Sequence, residues 1–452
     1  MTALPRVVIA APASGHGKTS ITTGLLAALR ARGHVVSPHK VGPDYIDPGY
    51  HALAAGRVGR NLDPYLVGPE QVVPLFLHGA AGADVAVVEG VMGLFDGVTG
   101  AAGFGSTAHV AGLLQAPVVL VVDARSMGRS VAALVHGFAS FDPAVHLGGV
   151  ILNRVGTPRH EAILREALDE VGVPVLGVVA RHDGLVTPSR HLGLVPAAER
   201  SAEAAETVAL LGHVVGESVD LEAVLRLARA AGPLAGEPWS PPQATPAARP
   251  VVAVAGGPAF TFSYAETSEL LTAAGADVAV FDPLVDERLP VGARGLVVGG
   301  GFPQVHADAL AANAPLRAAV AGLTASGGAV AAECAGLLFL ATCLDGRPMC
   351  GAIDARAEMG PRLHLGYAEA VAASDSVLAV AGTRVHGHEF HRTVTAPEHG
   401  PDPAWRWRAH DGTVRTEGFV AGALHASYLH LHWAGVPGIA ERFVGACARM
   451  AG

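Results

Sequence analysis

Short, nearly unbroken apolar runs alternate with longer amphipathic stretches along both halves of the chain. In the first half the runs are VVIAA, VVSPHKV, DVAVVEG, PVVLVVDA and LGGVILN; in the second they are VVAVAGG, DVAVFDP, GLVVGGG and GGAVAAE. Runs of this length separated by helical patterns predict parallel strands covered on both faces. The first intervening stretch, TSITTGLLAALRARG, has helical spacing: Ile21, Leu25, Ala28 and Leu29 share a face, and Gly33 supplies a stop. Between the two series, residues 233–250 carry six prolines and no apolar periodicity, which predicts a semi-rigid linker. The pattern therefore predicts an α/β fold of two tandem α/β domains, residues 1–232 and 251–452, joined at 233–250. The last hundred residues hold His-rich and aromatic segments that read as more antiparallel.

Composition narrows the classes of function. The 452 residues carry a net charge of −9 and no basic cluster, which argues against nucleic-acid binding. No apolar run reaches the roughly 18 residues of a membrane span. The opening MTALPRVVIAAPA superficially resembles a secretion signal, but cleavage after Ala13 would delete the first predicted strand. The four cysteines, at 334, 343, 350 and 447, lack paired metal-type spacing, so a disulfide framework is not expected and a cytoplasmic setting is.

The first apolar run feeds directly into APASGHGKTS. In its SGHGKTS core, Gly15 and Gly17 let backbone N–H groups approach phosphate oxygens, Lys18 offers a positive charge to the terminal phosphates, and Thr19 offers a hydroxyl to Mg²⁺. The helix that follows points its positive end at the same place. Ser14, Gly15, His16, Gly17, Lys18, Thr19 and Ser20 are thus the candidate nucleotide-binding residues. Pro12 breaks the standard phosphate-loop spacing but leaves the Gly-Lys-Thr core. Glu89 ends the run DVAVVEG at the ligand-binding edge of a parallel sheet, where a carboxylate suits Mg²⁺ opposite Thr19. In HKVGPDYIDPGYH, Lys40, Asp44, Tyr45 and Asp47 crowd one Gly/Pro-punctuated loop and read as a substrate clamp, with Asp47 a further metal ligand. Asn153, after a later strand, is placed to read a base edge.

The second half offers a thiol. In GGAVAAECAGLLFLATC a small-residue strand runs into Cys334 and then a helix, which is the layout of a nucleophile elbow. A helix N-terminus there is expected to lower the thiol pKa. The backbone N–H groups of Gly300, Gly301 and Ala335 are the candidate oxyanion donors. In ASYLHLHW, His430 and His432 alternate on a predicted strand, one as general base and the other to orient it or pack. The histidines at 386, 388, 391, 425, 430 and 432 also admit a metal reading, although no Cys or acid completes a set at ligand-like spacing. Cys343, Cys350 and Cys447 read as packing residues.

The motifs SGHGKTS, HKVGPDYIDPGYH, VEGVMGLFDG, RHLGLVPAAE, GGGFPQ, ECAGL, GHEFHRT and ASYLHLHW occur in the order seen in cobyrinic acid a,c-diamide synthases, and the resemblance spans nearly the whole chain. It implies an N-terminal P-loop domain of the dethiobiotin-synthetase type, which also departs from the standard loop spacing, and a C-terminal class I glutaminase-like domain. It further implies ATP with Mg²⁺ as cofactors and a corrinoid tetracarboxylate and glutamine as substrates. ATP would convert a corrin carboxylate to an acyl phosphate, and Cys334 would release ammonia from glutamine. By the same resemblance His430 falls at the catalytic base, and His432 where many relatives carry an acid. Ala335 replaces a more usual glycine. Metal-free and cobalt-containing corrinoids remain open, as do a cobyric acid synthase, a nickel-sirohydrochlorin a,c-diamide synthase, or a P-loop switch whose second half only binds a partner. The oligomeric state is also open, a homodimer among the options.

Overall fold

The computed structural model describes residues 2–181, 189–190, 193–194, 197–244, 249–409 and 411–449. Of the RHLGLVPAAE motif, residues 191, 192, 195 and 196 lie outside them. The chain divides into two compact units, Met1–Ser240 and Pro241–Gly452.

In the first unit, seven strands form one wholly parallel sheet: β1 (Arg6–Ala10), β2 (Val36–Val41), β3 (Arg60–Leu62), β4 (Val85–Glu89), β5 (Val118–Asp123), β6 (Leu147–Val155) and β7 (Val175–Ala180), in the order β3-β2-β4-β1-β5-β6-β7. The chain leaves β1 first toward one edge and then toward the other, so β1 marks the switch point where parallel sheets bind ligands. The apolar runs became these strands because both faces are covered: every residue of β1, β2 and β4 is buried. Helix α1 (Lys18–Ala31) buries Ile21, Leu25, Ala28 and Leu29 and ends just before Gly33, at φ 89. Helix α2 (Asp47–Ala55) follows β2.

Arg6 heads the central strand yet is fully buried. Its guanidinium donates to the carbonyls of Leu4, Leu114, Gln115 and Gly232, and burial lowers its pKa to about 10. Residues 233–240, the start of the expected linker, pack on this unit rather than standing free. Leu234 exchanges backbone hydrogen bonds with Thr2, and Trp239 donates its N–H to Pro74 and packs edge-on against His78.

The second unit holds two sheets. The first comprises β8 (Val251–Ala255), β9 (Asp277–Phe281), β10 (Ala293–Val298), β11 (Ala329–Glu333), β14 (Phe419–Ala421) and β15 (Leu424–Ser427), ordered β9-β8-β10-β11-β15-β14 and parallel except at the β14 edge. The second is built on the long antiparallel pair β12 (Arg356–Ala372) and β13 (Arg384–Ala396), with the two-residue strand β16 (His430–Leu431) on β13. Short helix α3 (Ala335–Leu340) leaves β11. Among the described residues, no helix is long and apolar enough to cross a membrane.

Candidate functional site

The C-terminal ends of β1, β2, β4, β5 and β6 meet around the phosphate loop. Gly17 caps α1 at φ 94, a left-handed conformation in which a side chain would be strained. A Cβ there would also stand 2.3 Å from Asn153 Nδ2. Lys18 Nζ donates to the carbonyls of Met92 at 2.5 Å and Ala13 at 3.4 Å. Burial, with Lys40 adding repulsion, lowers its pKa to about 8.

Below the loop, Thr19 Oγ1 lies 2.8 Å from Glu89 Oε1 and 3.2 Å from Asp47 Oδ2. Lys40 Nζ bridges the same two oxygens, at 2.8 and 2.6 Å, and donates to the Gly90 carbonyl. His51 Nε2 stands 2.6 Å from the other oxygen of Glu89. Sheet register brings Lys40 to Glu89, since the two lie opposite each other on β2 and β4, and α1 and α2 supply Thr19, Asp47 and His51. Two carboxylates share one ammonium here. Burial, with Asp44 and Glu89 nearby, pushes Asp47 up to about 7 against the pull of Lys40. Burial acts on Glu89 in the same direction, but Lys40 and His51 overcome it and hold that carboxylate below its ordinary range. The three oxygens suit Mg²⁺: all are hard donors, and the two separations from Thr19 Oγ1 are close to the edge of a ~2.1 Å octahedron.

The other sequence-derived residues of this unit serve the loops. Asp44 accepts the N–H groups of Ile46 and Asp47 on Oδ1, which fixes the loop at the start of α2. Tyr45 is buried. Asn153, expected to read a base, gives its amide N–H to the His16 carbonyl and accepts from Arg154 N, so here it braces the phosphate loop. Arg154, at φ 60, donates to the Gly15 carbonyl and to Asp123 Oδ2, and Asp123 N–H donates to His16 Nδ1. Sequence reasoning assigned no role to Asp123, Arg154 or His51. The first two were marked only by standing at the ends of apolar runs.

In the second unit, three adjacent parallel strands, β10, β11 and β15, end at one place. Cys334 follows β11 at φ 49 and ψ −100, a backbone conformation costly for any residue with a Cβ. Its N–H donates to the Ser427 carbonyl at 2.7 Å. Backbone hydrogen bonds from Ala335 and Gly301 reach the sulfur. Gly300 departs from expectation: its N–H donates to Phe262 O at 3.0 Å and is unavailable to an oxyanion. Its role is clearance, because a Cβ there would meet His430 Cε1 at 2.5 Å. The glycine loop therefore touches the thiol through Gly301 and the imidazole through Gly300.

The expected low thiol pKa is corrected. Burial pushes the Cys334 thiol up to about 12, and the hydrogen bonds from Ala335 and Gly301 only partly oppose it. One short helix cannot outweigh the removal of water from a thiolate. Burial drives the buried His430 well below its usual value, with His388 and His391 adding repulsion. Both groups are therefore neutral at rest, and the thiolate has to form by proton transfer during the reaction. We expect alkylation of Cys334 by iodoacetamide to keep rising about tenfold per pH unit past pH 9. A rate that levels off near pH 7 would refute this.

The two histidines do not act as one pair. His430 stacks on His388 at 4.9 Å, and its Nδ1 lies 3.9 Å from Glu333 Oε2. His432 stacks on Tyr264 at 4.3 Å, and its Nε2 lies 3.7 Å from the buried Glu266. Glu333, pushed up to about 8 by burial against hydrogen bonds from Trp433 and Leu431, is thus the acid beside His430. Sequence reading passed over it, although an acid closing an apolar strand was the available signal.

Residues 7–195 match the CobQ/CobB/MinD/ParA nucleotide-binding domain family, and residues 251–437 match the CobB/CobQ-like glutamine amidotransferase domain family. The chain is 60% identical to a hydrogenobyrinate a,c-diamide synthase of Streptomyces coelicolor, covering 99% of this chain and 98% of the relative. A protein of the same name from Thermobifida fusca is 54% identical, with 98% and 97% covered. A cobyrinate a,c-diamide synthase of Synechococcus is 42% identical, with 98% of each chain covered.

Proposed function

We infer the reaction from the premise that the chain belongs to the family of hydrogenobyrinate and cobyrinate a,c-diamide synthases. It is a glutamine-hydrolysing carbon–nitrogen ligase that amidates the a- and c-carboxylates of a corrinoid in cobalamin biosynthesis. One observation supports the division of labour most directly. One unit gathers a phosphate loop against a buried acid–lysine cluster, and the other holds a strained cysteine elbow with backbone donors on its sulfur.

In the first unit the backbone of residues 14–20 and Lys18 hold the nucleotide phosphates. Thr19, Asp47 and Glu89 would hold Mg²⁺, which when bound neutralises phosphate charge. A substrate carboxylate oxygen attacks the γ-phosphorus; the bond to ADP breaks and an acyl phosphate forms. Ammonia's lone pair then attacks the acyl carbon, the bond to phosphate breaks, and phosphate leaves with the proton that nitrogen gives up. Lys40 and the 42–47 loop face this chemistry from β2. In the second unit Cys334 gives its proton to His430 and its sulfur bonds the glutamine amide carbon. The developing oxyanion falls to the N–H groups of Ala335 and Gly301. Ammonia departs with the proton from His430, and water cleaves the thioester to glutamate and free thiol. The four free cysteines fit a reducing, cytoplasmic setting for this chemistry.

The corrinoid is the metal-free hydrogenobyrinate on this reading, because relatives of that name are 54–60% identical whereas those named for cobyrinate are 38–44% identical. Incubation with each corrinoid, ATP, Mg²⁺ and glutamine should give a product carrying two new amides, formed faster from the metal-free ring. Mass spectrometry of the products checks it. A single amide, or none on either ring, would overturn the assignment.

A further inference from the structure

We propose that Glu389 and Arg415 form the subsite for the zwitterionic head group of the nitrogen-donating amino acid, Glu389 taking the α-ammonium and Arg415 the α-carboxylate. The proposal rests on Cys334 acting as the glutaminase nucleophile.

Strand β13 runs past the thiol. The Phe390 carbonyl lies 3.9 Å from Cys334 Sγ, which places Glu389 and His391 on either side of the contact and on the same face of the strand. Glu389 is nearly buried. One of its oxygens accepts from Arg415 Nη1 at 2.8 Å, and the other lies 3.4 Å from His391 Nε2. His391 stacks on Tyr428 at 3.8 Å, and Tyr428 follows Ser427, whose carbonyl holds the Cys334 N–H. The polar groups are therefore contiguous with the nucleophile. Exposure grades outward along them, from the buried thiol through Glu389 to an Arg415 side chain about one-third exposed over the Trp407 ring. A ligand entering amide first and zwitterion last matches that gradient.

Charge logic supports the same assignment. A carboxylate close to a thiol opposes thiolate formation, and Glu389 acts on Cys334 in that direction. An arriving ammonium that pairs with Glu389 removes the penalty as the amide reaches the sulfur, and it frees Arg415 for the ligand's carboxylate. Each charge of the resident pair thus has its counterpart on a free α-amino acid. The ligand atoms of His364, Glu389 and His391 also lie within 4.8 Å of one another. A metal is nevertheless the poorer occupant, because Glu389 already carries a cationic partner and the His364 and His391 rings lie face to face at 10°.

The test uses the full chain, L-glutamine and two truncated analogues: glutaramate, which lacks the α-ammonium, and 4-aminobutanamide, which lacks the α-carboxylate. The unaltered protein should prefer L-glutamine over each by on the order of 100-fold in kcat/KM. Glu389→Gln should lose most of the preference over glutaramate and keep that over 4-aminobutanamide; Arg415→Ala should do the reverse. Both should raise the KM for L-glutamine about tenfold or more. Alkylation of Cys334 by iodoacetamide, which has no head group, should not slow in either variant and so reports an intact elbow. Should alkylation slow, Glu389→Asp and Arg415→Lys replace them under the same criterion. Both preferences surviving, both falling equally in each variant, or glutaminase activity removed by a chelator would each overturn the proposal. Absence of glutaminase activity in the unaltered protein would instead defeat the reading on which it rests.

Discussion

Cys334→Ala removes glutamine hydrolysis, by on the order of 10⁴-fold or more, while amidation supported by added ammonium salt continues. The sulfur is the only atom lost, and the backbone that holds it is fixed by other contacts: Cys334 N–H to Ser427 O, Gly336 N–H to Gly299 O, and the Gly300–Phe262 pair. Alanine fits the left-handed elbow as well as cysteine does, since both carry a Cβ. The nucleotide-binding unit has its own complete core, so the substitution leaves its phosphate loop untouched. Parallel assays of glutamate release and of corrinoid amidation with either nitrogen source check the result. Loss of the ammonia-supported reaction would refute two separable chemistries.

Glu89→Gln should have the complementary signature, cutting amidation with either nitrogen source by on the order of 10³-fold. The carboxylate is fully buried and meets Thr19, Lys40 and His51 at once, at 2.8, 2.8 and 2.6 Å. An amide has the same shape but no charge, so it weakens any divalent cation placed against Thr19 and Asp47. It also leaves the buried Lys40 with one anionic partner instead of two, at a cost of about 3 kcal/mol in stability. Denaturant titration measures the second effect, and amidation rates with glutamine and with ammonia measure the first. Unchanged ammonia-supported amidation in a folded variant would take Glu89 out of the reaction.

Much of the fold was legible because parallel strands buried on both faces write themselves as continuous apolar runs. All nine apolar runs became parallel strands of the two sheets, although β9, at an edge, leaves Val280 exposed. The short β3 and the long β12–β13 pair were harder to see. In β12 a buried alternation, Ala368, Ala370 and Ala372, marks only the end of the strand, while Leu363 and Leu365 before it remain exposed. At the sites, residues carried by sequence-local motifs were legible: the phosphate loop, Glu89 and Cys334. Their partners were not. Glu333 reaches His430, and Arg154 reaches Gly15, only through sheet order. The thiol pKa was misjudged because burial is a property of the packed unit, whereas the helix end is visible locally. ASYLHLHW read as one strand, but pairing stops after Leu431 and a tight 3₁₀ turn begins at Trp433, so its two histidines reach different acids.

The buried Arg6 has a practical consequence for dissecting the enzyme. The nucleotide-binding similarity stops at residue 195, yet the central strand's guanidinium is satisfied in part by Gly232, and Leu234 is stitched to Thr2. A fragment trimmed where the similarity ends would strip away the Ser201–Ser218 helix and strand a buried cation short of an acceptor. The excision point that respects the physics falls after Trp239, more than forty residues downstream of the one that alignment recommends.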